Sequence, residues 1–384
     1  MEQAASLIAE ADRAASARDF TRASDLLEQA TAQAPSDLGL WMRLAAMRRA
    51  SGQAAKALEA VHNALAISPR DFTALLMRAS LLERLGDPGA GLAWGQALAQ
   101  KPSAPIPAQL QPIVEEGEQR YAAWTEQRDA ALKAAMAATE RSADEDQRKK
   151  MARFRSNVVR RTRHYHSEPT DYHYPGLTER EFHPRSRFPW LERLESATAA
   201  IRSELRNVMD AERAELVPYV QMQDHAPMDQ WRPLNQNLDW TAIHLIQHGR
   251  VVEANAQHCP TTIELLSQMP QPDVPGASPN AMFSLLAPRT TIPPHVGISN
   301  TRLVCHLPLV VPEGCWFRVG AEKREWREGE AFVFDDTIEH EAANPTDDLR
   351  VVLIFDVWHP DLQGCERDAV AALISSSADA AQGL

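Results

Sequence analysis

The stretch PPHVGISNTRLVCHLPLV, residues Pro293 to Val310, decides how the second half of the chain is interpreted. Two histidines, His295 and His306, lie in an apolar run rich in β-branched residues, which is typical of a strand that forms one wall of a metal site. A common non-haem iron site uses two histidines and one carboxylate, in the order His-x-Asp or His-x-Glu. Here the third residue is Gly297. Three interpretations of the stretch are open: a metal site that has lost one ligand, a metal site that works without that ligand, or no metal site.

Short runs of alternating apolar residues surround this stretch from about residue 169 onward and are separated by turn residues. Several short strands at this spacing predict a sandwich or barrel of the jelly-roll kind. The predicted strands are LVPYVQM, WTAIHLIQ, AMFSLLA, TRLVCHLPLVV, CWFRVG, KREWRE, EAFVFDD and LRVVLIFDVW. One helical pattern, WLERLESATAAIRSELRNVM, precedes most of them, and another, TTIELLSQM, interrupts them.

Residues 1–105 are rich in alanine, leucine and arginine, and they repeat. Each repeat has small residues where paired helices would touch, a larger apolar residue between them, and a closing proline. This pattern resembles the tetratricopeptide (TPR) repeat, and the alternative is a plain helical bundle. Stacked helix pairs form a concave surface, so we expect a protein or peptide partner there. The repeated positions are Ala23, Leu27, Ala30 and Pro35, then Ala57, Val61, Ala64 and Pro69, then Ala90, Trp94, Ala97 and Pro102.

Residues 106–168 are predicted to connect the two halves. The pattern indicates one long helix from Pro107 to about Thr139, followed by the charged stretch SADEDQRKKMARFRSNVVRRTRHYH. A solvated connector, or a basic rim that faces the acidic remainder, is favoured over a nucleic-acid-binding tail.

The composition of the 384-residue chain is that of a globular protein, with 44% apolar residues and a formal net charge of −12. An acidic chain is a poor general binder of nucleic acid. The N-terminus has no signal-peptide pattern, and no run approaches the roughly 20 apolar residues of a membrane helix. The four cysteines contain no C-x-x-C pair, which favours reduced thiols. We therefore expect a cytoplasmic protein with no membrane association.

Two further residues suggest a specific chemistry for the β domain. His340 lies 45 residues after His295, and Arg350 lies ten residues after His340 and begins a predicted strand. Imidazole is a good ligand for iron(II). A 2-oxoacid that chelates such a metal keeps its far carboxylate several ångströms away, where a guanidinium fork can bind it with two hydrogen bonds. This order of residues is the one found in 2-oxoglutarate-dependent oxygenases.

Residues from about 170 to 362 resemble the aspartyl/asparaginyl β-hydroxylase family in three ordered blocks. These blocks are FSLLAPRTTIPPHVGISNTRLVCHLPLVVPEGC, WREGEAFVFDDTIEHEAAN and LRVVLIFDVWHP. The resemblance implies a double-stranded β-helix, which is a cupin-like jelly roll, with an iron(II) centre, 2-oxoglutarate as co-substrate and O₂. It also implies roles for single residues. They are His295 and His340 for the metal, Ser284 and Arg350 for the co-substrate, His306 approaching the co-substrate, and Trp240 lining the pocket.

Two positions near the metal qualify the resemblance. In animal members of the family the carboxylate position is also a glycine, so Gly297 follows the family's own pattern, with water completing the metal shell. Asp335 and Asp336 are then expected in the turn, or beside His340 to orient it. Peptide hydroxylases of the family carry an arginine at the position of Val304. If the substrate is nevertheless an aspartyl side chain, the predicted partner for its carboxylate is Arg302 or Arg289.

The sequence as a whole predicts an α+β protein of several parts: helical TPR-like repeats at 1–105, a connector at 106–168 and a β-hydroxylase-like domain at 169–384. The predicted catalytic residues are His295, His340 and Arg350. The predicted activity is iron(II)- and 2-oxoglutarate-dependent hydroxylation of a protein or peptide side chain, with succinate and CO₂ released. Two alternatives remain open: a hydroxylase of a small molecule or amino acid, and a non-catalytic scaffold with a degenerate β domain.

Overall fold

The computed structural model describes residues 2–211, 216–223 and 229–376. The chain divides into two units, residues 1–162 and residues 163–384. The predicted connector contributes two helices to the first unit. Among the described residues, no helix combines the length and the apolar character needed to cross a bilayer.

The first unit contains eight α-helices within the described residues. They are α1 (Glu2–Ser16), α2 (Phe20–Gln33), α3 (Leu38–Ala50), α4 (Ala54–Ile67), α5 (Phe72–Arg84), α6 (Ala90–Leu98), α7 (Gln111–Glu140) and α8 (Glu145–Val158). The first six form three consecutive helix pairs, and each pair coincides with one predicted repeat. Asp19, Asp37 and Asp71 are the N-cap residues of α2, α3 and α5. Each side chain accepts a hydrogen bond from the backbone N–H three residues further along the chain.

The repeated small residues lie where the helices of a pair meet. Ala23, Ala30, Ala57, Ala64 and Ala97 are fully buried. Alanine at these positions lets two helix backbones approach closely, because a larger side chain would hold the helices apart. The prediction of paired helices with small contact residues is confirmed for residues 1–105.

The predicted connector is more ordered than a solvated linker. The long helix α7 begins four residues later than predicted, at Gln111, and the charged stretch forms α8. Asp144 caps α8 in a reciprocal capping box with Gln147. Arg155 of α8 pairs with Asp129 of α7 at 2.8 Å, and both side chains are largely buried. Part of the basic run therefore binds carboxylates of its own unit.

The second unit is built on eleven strands within the described residues. They are β1 (Leu216–Pro218), β2 (Trp240–Gln247), β3 (Arg250–Val251), β4 (Ala281–Leu286), β5 (Thr290–His295), β6 (Arg302–Val310), β7 (Trp316–Val319), β8 (Glu322–Glu325), β9 (Phe332–Phe334), β10 (His340–Asn344) and β11 (Arg350–Trp358). Five helices accompany them: α9 (Leu191–Ser196), α10 (Thr198–Met209), α11 (Glu253–Ala256), α12 (Pro260–Leu266) and α13 (Gly364–Ser376).

The strands form two antiparallel sheets. The large sheet has the order β1-β2-β4-β11-β6-β9, with β3 paired to β2, and the small sheet has the order β5-β10-β7-β8. Apolar residues from both sheets, such as Val352 of β11 and Phe317 of β7, share one buried cluster, so the sheets pack face to face. The other face of the large sheet packs against apolar residues of α9, α10 and α12.

Strand alternation explains this layering. In β11, Val351, Leu353 and Phe355 point to the helix-covered core. Because successive side chains alternate, Arg350, Val352 and the later even-numbered residues point to the small sheet. The polar residues that the large sheet contributes to the site thus lie on its inner face, opposite the small sheet.

The predicted strands match most of the observed ones, but β3, β5 and β10 were not predicted. β5 was not predicted as a separate strand, because Pro293 and Pro294 near its end disfavour a strand assignment. The sequence pattern places His295 and His306 in one strand-like run, whereas His295 ends β5 and His306 lies in β6. β10 was also not predicted as a strand. The predicted helix around residues 190–209 is broken at Ala197 into α9 and α10.

Candidate active site

The two predicted metal histidines face each other across the small sheet. β5 ends at His295 and β10 begins at His340, and the two residues are direct partners in the antiparallel register. Their ring centroids are 4.0 Å apart. Pairing of the end of β5 with the start of β10 therefore brings together two residues that are 45 positions apart in the sequence.

Backbone carbonyls orient both imidazole rings in the same way. His295 Nδ1 is 2.8 Å from the carbonyl oxygen of Pro293, and His340 Nδ1 is 3.1 Å from that of Ile338. Since a carbonyl only accepts, each Nδ1 carries a hydrogen, and each Nε2 keeps its lone pair for a ligand. Burial lowers the pKa of both histidines, which keeps the rings neutral as a metal requires.

The absence of a side chain at Gly297 leaves space that the carboxylate of Asp336 occupies. Gly297 lies two residues beyond the end of β5. Strand alternation therefore does not place a side chain at position 297 on the same face as the His295 ring. A Cβ atom at this position would lie 2.2 Å from Oδ2 of Asp336. The Gly297 N–H also donates to the Asp336 carbonyl at 2.7 Å. The side-chain space at Gly297 is thus already filled by Asp336.

The two aspartates of the turn before β10 have different surroundings. Asp335 accepts hydrogen bonds from the backbone and hydroxyl of Thr337, as expected for a turn residue. Asp336 forms an ion pair with Arg302 at 3.0 Å. The orienting partner of His340 is the Ile338 carbonyl rather than either carboxylate. In the part of the chain that the structure describes, no group of three His, Cys, Asp or Glu side chains is arranged to hold a metal.

The predicted co-substrate residues form one hydrogen-bonded group at the other end of the site. Arg350 Nη1 donates to the carbonyl oxygen of Ser284 at 3.2 Å and lies 3.4 Å from its hydroxyl. Trp240 Nε1 donates to the Ser284 hydroxyl at 3.0 Å. Adjacent pairing of β2, β4 and β11 brings these three residues together. We call Arg350, Ser284, Trp240, His306 and Trp326 the Arg350 end.

Aromatic residues wall this end of the site, and most were not predicted from the sequence. The guanidinium of Arg350 lies 4.7 Å from the ring centre of Trp326. Tyr219 stacks on Trp240 at 3.7 Å, and Trp231 lies 5.0 Å from the ring of His295. The sequence pattern predicts Trp326 only as part of a charged strand and Tyr219 only as part of an apolar one. Their positions depend on pairing between distant segments, which no local pattern reveals.

Three buried nitrogen atoms at the Arg350 end have no hydrogen-bond partner among the described residues: Arg350 Nε, His306 Nδ1 and Trp326 Nε1. Arg350 is 2% exposed and forms no ion pair within the described ranges. Burial lowers its pKa to about 10, so it stays charged at neutral pH. A buried, unpaired cation is costly. The residues present therefore fit a bound carboxylate, such as the far carboxylate of 2-oxoglutarate.

Arg302 has the opposite surroundings. It is 6% exposed and pairs with Asp336, while its Nε and Nη1 atoms lack a partner among the described residues. Burial acts to lower the pKa of Arg302, but Asp336 and Asp356 raise it, and the net direction is upward. We call Arg302, Asp336 and Asp356 the Arg302 end.

One cavity of about 680 Å³ joins the two ends. Its lining includes the histidine pair, both buried arginines and every other predicted site residue. This volume is within the range of small-molecule sites. The structure thus brings together His295, His340, Ser284, His306, Arg350, Trp240 and Arg302, which lie in five separate parts of the sequence.

The cavity lies between two antiparallel sheets. Its two neutral histidines could hold a metal, and its buried arginine could bind a carboxylate. Residues 195–360 match the family described as "Aspartyl/Asparaginyl beta-hydroxylase". The likeness to this family therefore covers residues 195–360, in the second unit.

Two relatives and one solved structure show the extent of the likeness. Human aspartyl/asparaginyl beta-hydroxylase is 37% identical over 147 residues, which cover 37% of this chain and 19% of that protein. The ornithine lipid ester-linked acyl 2-hydroxylase of Rhizobium tropici is 32% identical over 197 residues, which cover 50% of this chain and 66% of that protein. The Sgt2 TPR domain of Aspergillus fumigatus matches with a TM-score of 0.28 and 22% identity, covering 31% of this chain and 80% of that domain. The matched region thus spans about a fifth of the human relative.

Proposed function

We propose that this chain is an iron(II)- and 2-oxoglutarate-dependent hydroxylase of an unactivated C–H bond. Iron(II) with 2-oxoglutarate and O₂ would supply the oxidising chemistry, with succinate and CO₂ as by-products. The family of residues 195–360 supports hydroxylation. We further propose that the two sheets are the two halves of a double-stranded β-helix, with the site between them.

The observation that carries the proposal is the buried, unpaired guanidinium of Arg350. Its Nε, with His306 Nδ1 and Trp326 Nε1, offers polar atoms that lack a partner among the described residues. A carboxylate would accept from the guanidinium and offset its burial. Ser284, already in contact with Arg350 Nη1, would offer its hydroxyl to the same carboxylate.

The histidine pair would hold iron through the two Nε2 atoms, since each Nδ1 is committed to a backbone carbonyl. With neutral rings, no proton has to leave before a metal binds. The aromatic walls formed by Trp231, Trp240 and Phe317 lie against these rings. They would exclude bulk water and leave the remaining metal positions to small ligands.

Two substrate classes remain for this chemistry. The name of the human relative refers to aspartyl and asparaginyl residues, and that of the Rhizobium relative to a lipid acyl chain. A protein or peptide substrate would give the helical repeats of the first unit a direct role as a docking surface. A small-molecule substrate would leave that unit free to bind another partner. We propose a cytoplasmic site of action in either case.

The test is succinate release from 2-oxoglutarate in air, with iron(II) added to the metal-free protein. We expect slow release without any substrate, dependent on both iron and 2-oxoglutarate. A protein that binds neither, and releases no succinate, would instead be a scaffold whose β domain is degenerate.

A further inference from the structure

A segment outside the two sheets holds both loops that adjoin the histidine pair. One loop follows His295, the last residue of β5, and the other is the turn that precedes His340, the first residue of β10. Residues 167–172, which we call the arm, come a few residues after the end of the first unit. The arm forms an isolated β-bridge with each loop, Ser167 with the turn before β10 and Tyr172 with the loop after β5. The arm thus joins the surroundings of both predicted metal ligands.

The turn before β10 is attached to the arm by a pair of hydroxyl groups and a backbone hydrogen bond. The Thr337 hydroxyl donates to Asp335. In its 2.6 Å contact with the Ser167 hydroxyl, Ser167 is therefore the donor. The Glu168 N–H donates to the Thr337 carbonyl oxygen at 2.8 Å. Ser167 and Thr337 are both buried, so bulk water does not replace these hydrogen bonds when they are lost.

These contacts determine where the acceptor that orients His340 lies. Ile338, the residue after Thr337, forms the β-bridge with Ser167, and its carbonyl oxygen accepts the hydrogen of His340 Nδ1. Because this acceptor is a backbone atom, its position depends on what holds the turn in place. The hydroxyl of Ser167 and the N–H of Glu168 hold the turn from outside.

The loop after β5 is attached to the arm through backbone atoms. The Thr170 N–H donates to the Gly297 carbonyl oxygen at 3.1 Å. The N–H groups of Asp171 and Tyr172 donate to the Ile298 carbonyl oxygen at 3.1 and 3.0 Å. The arm therefore connects the two loops by contacts that are separate from the pairing of β5 with β10.

Preorganisation of the histidine pair matters more here than in a site with three protein ligands. Two imidazole rings are the predicted protein ligands, and a shift of either loop changes the angle between them. Ordering a loose loop would then reduce the net free energy of metal binding. No residue of the arm, all of which the structure describes, lines the cavity. The arm can therefore affect a metal only through the positions of the two rings.

We propose that the arm positions the histidine pair for a metal ion, with Ser167 as a positioning residue that acts on His340 through Thr337 and the Ile338 carbonyl. This inference rests on the proposed function, because it needs the histidine pair to bind a metal. It is independent of the substrate that is hydroxylated. Ser167 lies before residues 195–360, which match the family, so the family match does not assign this role.

The test measures binding of the metal alone to the full chain. Iron(II) affinity is measured anaerobically by competition with a chelator, and the visible absorption of bound cobalt(II) reports the geometry of the ligands. We expect Ser167→Ala to raise the dissociation constant for iron(II) about tenfold, at the lower end of the range for groups that orient metal ligands. The cobalt(II) absorption should change as well, because the angle between the two rings is less well fixed.

Thr262→Val is the matched control for a lost hydroxyl group. The Thr262 hydroxyl is buried in the same unit and donates to Glu204 at 2.6 Å, and Thr262 is not among the residues that line the cavity. Both substitutions remove one buried hydrogen bond, so both should lower the midpoint of denaturant unfolding. Only Ser167→Ala should weaken iron(II) binding, because a purely structural role would affect the two variants alike.

A second pair of variants tests the same connection from the other side. Thr337→Val removes the hydroxyl that accepts from Ser167, whereas Thr337→Ser keeps it. We expect the first to weaken iron(II) binding about tenfold and the second to retain the affinity of the natural chain. Adding Ser167→Ala to Thr337→Val should have little further effect, because both changes break one connection. These variants decide the question should Ser167→Ala fail to fold.

The outcomes separate the positioning role from the proposed function. Unchanged iron(II) affinity in folded Ser167→Ala and Thr337→Val would overturn the positioning role and leave the proposed function intact. An equal loss of affinity in Thr262→Val would also overturn that role, since affinity would then follow overall stability. A natural chain that binds no iron(II) would overturn the proposed function itself.

Discussion

The two buried arginines of the cavity differ in their counterions. Arg302 has Asp336 beside it and Asp356 nearby, and these carboxylates outweigh the effect of burial on its pKa. Arg350 is as deeply buried, but burial lowers its pKa to about 10 because no carboxylate among the described residues compensates it. A buried cation without a counterion indicates that an anion binds there. A buried cation that already has its counterions indicates a structural pair, or a contact with an uncharged group.

The largest expected effect concerns His295 and His340, because the proposed reaction depends on the iron that they would hold. We expect His295→Ala and His340→Ala each to remove detectable succinate release, since each takes away one of the two predicted metal ligands. His173→Ala, at an exposed position in the same unit, should keep full activity. Circular dichroism melting should show folded protein in all three. Substantial turnover in either site variant would remove that histidine from the metal site.

The next largest effect concerns how much Arg302 contributes to the free energy of unfolding. Arg302→Met would leave Asp336 and Asp356 buried without their cation. We expect a loss of about 3–5 kcal/mol in the free energy of unfolding, measured with denaturant. Arg289→Met is the control, because the Arg289–Asp347 pair is exposed and should contribute at most about 1 kcal/mol. Equal effects of the two substitutions would show that Arg302 does not compensate the buried carboxylates.

Arg350→Met should behave in the opposite way. Without ligand, we expect the variant to be more stable than the natural chain by about 1–3 kcal/mol, because a buried charge without a counterion is removed. Its affinity for 2-oxoglutarate should fall about 30- to 1000-fold, equivalent to roughly 2–4 kcal/mol for a charge-assisted bidentate contact. Saturating 2-oxoglutarate should therefore reverse the order of thermal stability. Lower stability without ligand would mean that Arg350 already has a counterion.

The smallest effect concerns the place where Asp336 fills the space beside Gly297. Gly297→Ala would put a Cβ atom 2.2 Å from the Asp336 carboxylate. We expect about 1–3 kcal/mol of destabilisation from overpacking. Gly364→Ala, where an added Cβ meets nothing within 4 Å, is the control. An unchanged stability for Gly297→Ala would show that Asp336 can leave this position without cost.

The sequence was sufficient for those features that depend on local order. The three blocks of the resemblance predict His295, His340, Ser284 and Arg350 as site residues, and all four line one cavity. Alternation along a strand explains why Arg302, Val304 and His306 share one face of β6. The spacing of alanines and prolines was enough to place the paired helices of the first unit.

Features that depend on pairing between distant segments could not be predicted. The contact between Gly297 and Asp336 joins two loops, and no local pattern reveals which side chain fills a glycine's space. The sequence pattern predicts Trp326 as a residue of a charged strand, whereas its ring packs against the guanidinium of Arg350. The charge state around Arg302 needed the positions of two aspartates, Asp336 and Asp356. The sequence alone left Arg302 and Arg289 as the two candidates for binding a substrate carboxylate.

The central claim is that the unpaired guanidinium of Arg350 and the histidine pair bind one 2-oxoglutarate together with one metal ion. The most direct measurement is calorimetric titration of 2-oxoglutarate into the full chain under anaerobic conditions, with saturating iron(II) and again without metal. We predict one 2-oxoglutarate per chain with iron(II), weaker binding without it, and a loss of about 30- to 1000-fold in affinity for Arg350→Met. Binding that is equally strong without metal and unchanged in Arg350→Met would contradict the account.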